Sequence, residues 1–334
     1  MSEESPLLSA QQKFADALPF RSLATESCPL PEALGRVLAT DLKAPEDLPP
    51  YPRAIVEGFL VHTAETAQAS EEAPVHFEIS GEIKPGDSSC PPLAAGQALR
   101  VATGSIVSGE ELSAVRLWEA QVEGSHLTIT RPFPPRFFIE EQGCDHHQGD
   151  TVLEAGSRLS AADIGLIASF GIDHVTLARR PQVTIFSSGD EVISYTEPVR
   201  PGAIRDSNAV MLAAAVTAAG GIPRLAGIMS DEFDAFANAI QQALSDSDMV
   251  LISGGTAVGG RDFIADLVSA TGKLIIDGVP MRSGRPLIMG TSGDKAIVCV
   301  AGHPPEALRG FQLFGVAAID RLTGHPAALP ADTA

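Results

Sequence analysis

The feature that most constrains this chain begins at residue 181, where short apolar runs and amphipathic helical stretches follow one another in regular alternation. "QVTIFS" leads through a loop to "NAVMLAAAVTAAGG", "RLAGIM" leads to "DEFDAFANAIQQAL", and "DMVLIS" leads through a glycine-rich loop to "DFIADLVSA". Strands that alternate with helices pair in parallel, because each helix carries the chain back across the sheet before the next strand begins. The pattern predicts a three-layer α/β/α domain over 179–324, completed by the strands "KLIIDGVPM", "RPLIMG" and "KAIVCVAG" and by a last helix in "PPEALRGFQLFGVAAIDRL".

Upstream the signals are weaker. Residues 10–40 read as helical, with Leu30, Leu34, Val37 and Leu38 on one face of "LPEALGRVLA". "APEDLPPYP" (44–52) carries four prolines in nine residues and predicts an extended crossing between domains. From 53 to 132 short alternating runs such as "VHFEIS" and "HLTIT", split by Pro and Gly, predict a small β-rich domain. Ser160 and Asp163 form a capping-box pattern ahead of an apolar helix that Gly171 closes. A chain of 334 residues exceeds one ordinary core. The expected organisation is an α/β multidomain protein. A mixed α+β linker domain spans 1–47 and 133–178, a β-rich domain 48–132 and the α/β domain 179–324, with a frayed tail at 325–334.

Charge narrows the partners. With 23 Lys and Arg against 42 Asp and Glu, the net charge is −19. Such a field repels phosphate backbones and anionic lipid, and there is no basic run to offset it, so neither nucleic acid nor a membrane surface is an expected partner. No apolar stretch approaches the ~20 residues that cross a bilayer. Cys28, Cys90, Cys144 and Cys299 are scattered without a CxxC pair, which fits reduced thiols and a cytoplasmic location.

In an open α/β sheet, ligands sit beyond the carboxyl ends of the strands. There the chain is acidic and glycine-rich: "SSGDEV" gives Ser188, Gly189, Asp190 and Glu191, "MSDE" gives Asp231, and "ISGGTAVGGRD" ends on Asp262. Taken singly, Asp231 and Asp262 read as N-caps of the helices they precede. Taken together with Asp190 and Glu191 they read as hard oxygen ligands for Mg²⁺, which binds through one or two carboxylates plus ligand phosphates. The glycine loop reads either as a tight crossing or as a phosphate cradle at a helix start. Arg282 and Arg285, around Gly284, suit an oxyanion or pair with surface acids. His303 after Gly302 is more often structural than catalytic. "GCDHHQGD" reads as a solvated loop, because adjacent side chains rarely bind one ion together.

The same stretches, in order with "GRVLATDLKAPEDLPPYPRAIVEGFLV", "LRVATGSIVSGEELSAVRLWE" and "GAIRDSN", resemble the molybdopterin molybdenumtransferases, the MoeA and gephyrin family, from about residue 10 to 322. The resemblance implies an elongated homodimer. It implies an activity in which molybdate enters adenylylated molybdopterin with Mg²⁺ and AMP leaves. It assigns catalytic positions to Glu57, Thr103, Glu191, Asp231 and Asp262, the last three as metal ligands. It assigns cofactor contacts to Ser188, Gly189, Asp190, Asp206, Asn208, Ser253, Gly254, Gly255, Thr256, Gly259, Arg282, Gly284, Arg285, Gly302 and His303. Departures accompany it: Glu57 stands where the family carries aspartate, and Glu140 and Glu141 stand where arginines would attract a pterin phosphate, while Asp145 matches. The family's small C-terminal β-barrel domain is expected to be absent. These departures leave two readings, a transferase or a non-catalytic molybdopterin carrier or insertion partner for a particular molybdoenzyme. A third reading is adenylylation of molybdopterin, since "SGGTAVGGRD" also resembles the loop of the adenylyltransferases, which stand as expected partners too.

Overall fold

The computed structural model describes residues 6–18, 23–230, 232–254, 263–279 and 285–326. The chain forms two compact units, one of Met1–Asp41 with Glu154–Ala334 and one of Leu42–Leu153.

The first unit is built on a mixed sheet of β1 (Gln182–Ser188), β2 (Ile222–Met229), β3 (Met249–Gly254), β4 (Lys273–Asp277), β5 (Ile288–Ser292) and β6 (Lys295–Val300), in the spatial order β2-β1-β3-β6-β5-β4. β1 is parallel to β2 and β3, and β3 to β6, whereas β5 runs antiparallel to β6 and to β4. The crossovers that parallel pairing demands are the helices α1 (Ser207–Ala218), α2 (Phe233–Asp246) and α3 (Phe263–Thr271). Side chains alternate through the sheet. Val183, Ile185, Met249 and Leu251 meet Leu212, Val216, Phe311 and Phe314 on one face, while Phe186, Val250 and Ile252 meet Phe236, Ile240 and Leu267 on the other. Full burial of each such side chain contributes about 1.5–3 kcal/mol, so the period-two pattern itself holds the three layers together. A final helix, α4 (Pro304–Gly310), continues through a π-helical turn into Val316–Leu322.

Three local expectations meet different outcomes. The capping box forms: Ser160 Oγ accepts from Asp163 N at 3.3 Å and Asp163 Oδ2 from Ser160 N at 2.8 Å, and Gly171 takes a φ of +70° just past the helix Ala161–Ser169. The helix expected over 30–39 does not form. A 3-10 turn covers only Leu30–Glu32, Gly35 adopts a φ of +72°, and Val37 and Leu38 bridge to Arg158 and Leu177, leaving Leu34 exposed. Backbone partners from distant segments override the local 3.6-residue period there. The N-terminal helix Pro6–Ala17, grouped by sequence with the linker, instead packs into the α/β core. Its Phe14 ring lies edge-on to Phe314 at 6.0 Å, and Gln11 Nε2 donates to Leu313 O at 3.0 Å. His325, at the start of the expected tail, is held by bonds to Asp320 O and Gly156 O.

The second unit carries its own six-stranded sheet, in the order Leu112–Arg116, Gly58–His62, Gln97–Val101, Val75–Ile83, His126–Ile129 and Gln121–Glu123. Gly58 stands opposite both Val101 and Arg116, and an added Cβ there would lie 1.8 Å from Val115 O. Just beyond this strand end Arg116 forks onto Glu119 at 2.7 and 2.9 Å, with its guanidinium 5.0 Å from the Trp118 ring centre and 4.7 Å from that of Phe138. Arg131 pairs with the same carboxylate and lies 4.1 Å over Phe133. The Arg116 hydrogen bonds, working against burial and helped by Arg131, hold Glu119 down from an ordinary 4.5 to about 2.

Gly58→Ala is expected to lower the unfolding free energy by about 3 kcal/mol in urea denaturation, because neither neighbouring strand can retreat without breaking its ladder. A carboxyl group whose folded pKa is depressed contributes stability above its unfolded pKa and loses it as the pH falls toward the folded one. Glu119→Gln is therefore expected to be about 1–3 kcal/mol less stable than the parent at pH 7. The gap should close between about pH 4.5 and pH 2 in acid-unfolding curves.

Candidate functional site

The parallel register sets Ser188 beside Met229 on one side and Gly254 on the other, and Ser253 beside Val300. The chain segments leaving β1, β2, β3 and β6 therefore open on one edge of the sheet. At this edge Gly254 adopts a φ of +98°, and a Cβ there would come within 2.4 Å of Ser188 O. Only glycine permits that approach.

After β1, Gly189 takes a φ of +140° and the Glu191 carboxylate folds back over it, 2.8 Å from where a Cβ would sit. Asp190 and Glu191 are both exposed. The chain then returns by a short parallel pairing, Val192 with Ile204 and Ile193 with Arg205, and delivers Asp206 to the start of α1. Asp206 Oδ1 accepts from Ala209 N at 3.0 Å, so this carboxylate acts as the N-cap. Two residues on, Asn208 is buried and its Nδ2 donates to Ser253 Oγ at 2.7 Å and to Gly302 O at 2.8 Å. Ser253 Oγ donates in turn to Ala301 O at 3.2 Å. One amide thus ties the start of α1 to the ends of β3 and β6. Both Asn208 Oδ1 and Ser187 Oγ are buried without a hydrogen-bond partner. His303 begins α4 with its backbone carbonyl accepting from Ala307 N at 2.9 Å, and its ring is exposed. Arg285 Nη2 donates to the carbonyls of Asp277 at 2.9 Å and Gly278 at 2.8 Å, which anchors the entry to β5.

Of the residues singled out in the sequence, Ser188, Gly189, Asp190, Glu191, Asp206, Asn208, Ser253, Gly254, Gly302 and His303 follow strand ends or begin helices at this edge. Asp231, Gly255, Thr256, Gly259, Asp262, Arg282 and Gly284 lie outside the described residues. Among the described residues no three His, Cys, Asp or Glu side chains form a metal-holding group. Glu191 is the one proposed metal ligand within them, and an exposed carboxylate beside glycine amides is a fitting donor for a hard cation.

In the second unit, the register of Gly58 with Val101 puts Glu57 across from Ala102, one residue from Thr103. Both are exposed at that end of the sheet, with Glu57 O accepting from Leu117 N at 3.1 Å. Glu140 and Glu141 are neutralised by partners that the linear sequence did not disclose. Arg53 Nε meets Glu140 Oε2 at 2.8 Å across the short pairing of Arg53–Ala54 with Ile139–Glu140. Arg136 meets both Glu141 oxygens at 2.5 and 2.8 Å, holding that carboxyl below the usual range, and also donates to Gly109 O at 2.7 Å. The two carboxylates expected where arginines would attract a phosphate are thus each held in an ion pair. Arg53 and Arg136 were visible in "YPRAI" and "PPRFF", yet only strand pairing shows which carboxylates they meet.

A parallel-stranded edge with bare amides, helix starts and the exposed carboxylates of Asp190 and Glu191 places this chain among α/β proteins whose strand ends suit a small anionic ligand. Comparison with known proteins sharpens the class. Residues 6–171 match the MoeA N-terminal region (domain I and II), and residues 184–321 match a probable molybdopterin binding domain. The molybdopterin molybdenumtransferase of Bacillus subtilis (strain 168) is 32% identical over 295 residues, 87% of this chain and 69% of that relative. The protein of the same name from a Nostoc species is 33% identical over 268 residues, 80% of this chain and 62% of its own length. The crystal structure of the molybdopterin biosynthesis moeA protein from Pyrococcus horikoshii OT3 superposes with a TM-score of 0.80 at 27% identity, covering 96% of this chain and 79% of that one. The chain belongs to the molybdopterin molybdenumtransferase family, a family of molybdenum cofactor biosynthesis proteins.

Asn208→Asp is expected to cost about 2–4 kcal/mol in thermal or chemical unfolding, since a carboxylate oxygen would face the Gly302 carbonyl in a buried site. Asn208→Ala should cost about 1 kcal/mol, because it removes the orphaned Oδ1 along with the donor.

Proposed function

We propose that this chain binds adenylylated molybdopterin at the carboxyl edge of the α/β sheet and inserts molybdate, with Mg²⁺, releasing AMP. The observation that carries the reading is the convergence of the Ser188–Glu191 turn, the Ser253–Gly254 end and the Gly302–His303 helix start, tied together by Asn208. Glycine amides and helix N-termini offer N–H groups to phosphate oxygens without the cost of burying a charged side chain. Glu191 is assigned to Mg²⁺ together with Asp231 and Asp262, and the cation supplies the neutralisation needed where molybdate approaches a phosphorylated ligand. Ser188, Gly189, Asp190, Asp206, Asn208, Ser253, Gly254, Gly255, Thr256, Gly259, Gly302 and His303 are assigned to the ligand, with Asp206 acting through the helix it caps. Arg282, Gly284 and Arg285 are assigned to its phosphate, and Glu57 and Thr103 keep the catalytic roles that the family resemblance gives them.

A homodimer and a cytoplasmic location belong to the same proposal. Among the described residues no helix is long and apolar enough to cross a membrane. A second reading, a molybdopterin carrier or insertion partner without turnover, is favoured by the commitment of Arg53 and Arg136 to Glu140 and Glu141, which leaves fewer free cations for an anionic ligand.

Purified protein given adenylylated molybdopterin, Mg²⁺ and molybdate is expected to release AMP, followed by chromatography of the nucleotide. Glu191→Gln should lower that rate at least tenfold while leaving the melting temperature unchanged, since the side chain is exposed. Tight ligand binding by the parent protein with no AMP would select the carrier reading, and no binding would defeat both.

A further inference from the structure

We propose that Trp118 is a stacking platform for a flat heteroaromatic ring that carries an anionic group. Trp118 is the only tryptophan of the chain and is 73% exposed, an unusual state for so large an apolar surface. Its ring is held rather than loose. The Arg116 guanidinium lies between Trp118 and Phe138, with ring centres at 5.0 and 4.7 Å, and is itself fixed by the fork onto Glu119. Phe138 meets Phe137 in a tilted contact, with ring centres 4.1 Å apart and planes at 52°, and Phe137 meets Phe133 in the same way at 5.5 Å and 43°. This run of contacts ends in a largely exposed indole, so a ring that lands there is met by a surface already ordered.

Charge selects the ligand class. Glu119 answers both Arg116 and Arg131, which leaves one positive charge in the cluster of a chain whose net charge is −19, and the Arg131 side chain is 47% exposed. Base-on-aromatic stacking beside a guanidinium is the way proteins hold nucleotide rings. By position, Gly58 pairs with both Arg116 and Val101, so the chain presents Trp118, Thr103 and the Glu57 carboxylate at one end of the second unit's sheet. The inference rests on the function proposed above for its choice of rings, a purine and a pterin.

The single tryptophan lets fluorescence report this face alone. AMP or 6-hydroxymethylpterin phosphate, whichever carries the stacked ring, is expected to quench its emission saturably, whereas ribose 5-phosphate, with a phosphate and no ring, should not. Calorimetry with AMP and, separately, with 6-hydroxymethylpterin phosphate on W118A identifies the ring. The stacked one should lose about tenfold in affinity, with less than about threefold lost in W118F. Unchanged affinity of W118A for both rings would overturn the proposal. So would emission that shifts with protein concentration and ignores both ligands, since that assigns the indole to a second copy of the chain. Intact AMP release with unaltered W118A binding defeats this inference alone, and quenching without AMP release defeats the proposed function alone.

Discussion

The parallel pairing of β1 with both β2 and β3 is the constraint on which the rest of the α/β unit depends. Because those strands run the same way, each helix that follows must begin at the same edge, and its unpaired N–H groups open there. The edge closes tightly because Gly254 can approach Ser188 O where no side chain fits. Asn208 then fixes the spacing, with one amide reaching two strand ends. A slip of one residue in this ladder would turn Ser187 and Ser253 to the opposite face and move every turn at that edge with them.

Electrostatics is organised by pairing rather than by net charge. The chain is strongly acidic, yet Arg53, Arg116, Arg136 and Arg179 each meet a specific carboxylate, Arg179 reaching both oxygens of Asp248 at 2.7 and 2.8 Å. The more exposed of these pairs, Arg53 with Glu140 and Arg136 with Glu141, contribute about 0–1 kcal/mol each, so their value lies in position. They determine which guanidiniums remain free for an anion and which planes stay stacked against aromatic rings. The Glu119 cluster shows both effects, since one carboxylate orients two arginines and through them the rings they cover.

How much was legible varied with the physical origin of each element. The strands of the α/β unit and the helices from α1 onward were readable, because their apolar periods match the surfaces they bury. The Ser160 capping box was readable because both partners lie within one turn. The helix expected over 30–39 failed because Val37 and Leu38 find backbone partners at Arg158 and Leu177, far along the chain. Within the candidate site, the turn residues Ser188–Glu191 and Gly254 stood out by composition. The Asn208 network, the partners of Glu140 and Glu141, and the Trp118 column did not, since each joins segments that strand pairing or packing brings together.

The sequence by itself therefore determined the alternation of strands and helices, the turn chemistry at the strand ends and the acidic balance. These depend on local periods and on side-chain type. Only the tertiary structure decided which helix covers which face, which arginine answers which carboxylate and where a lone tryptophan is held open to solvent. Those outcomes depend on contacts between residues distant in the chain, and only the pairing of strands and the packing of layers brings such residues together.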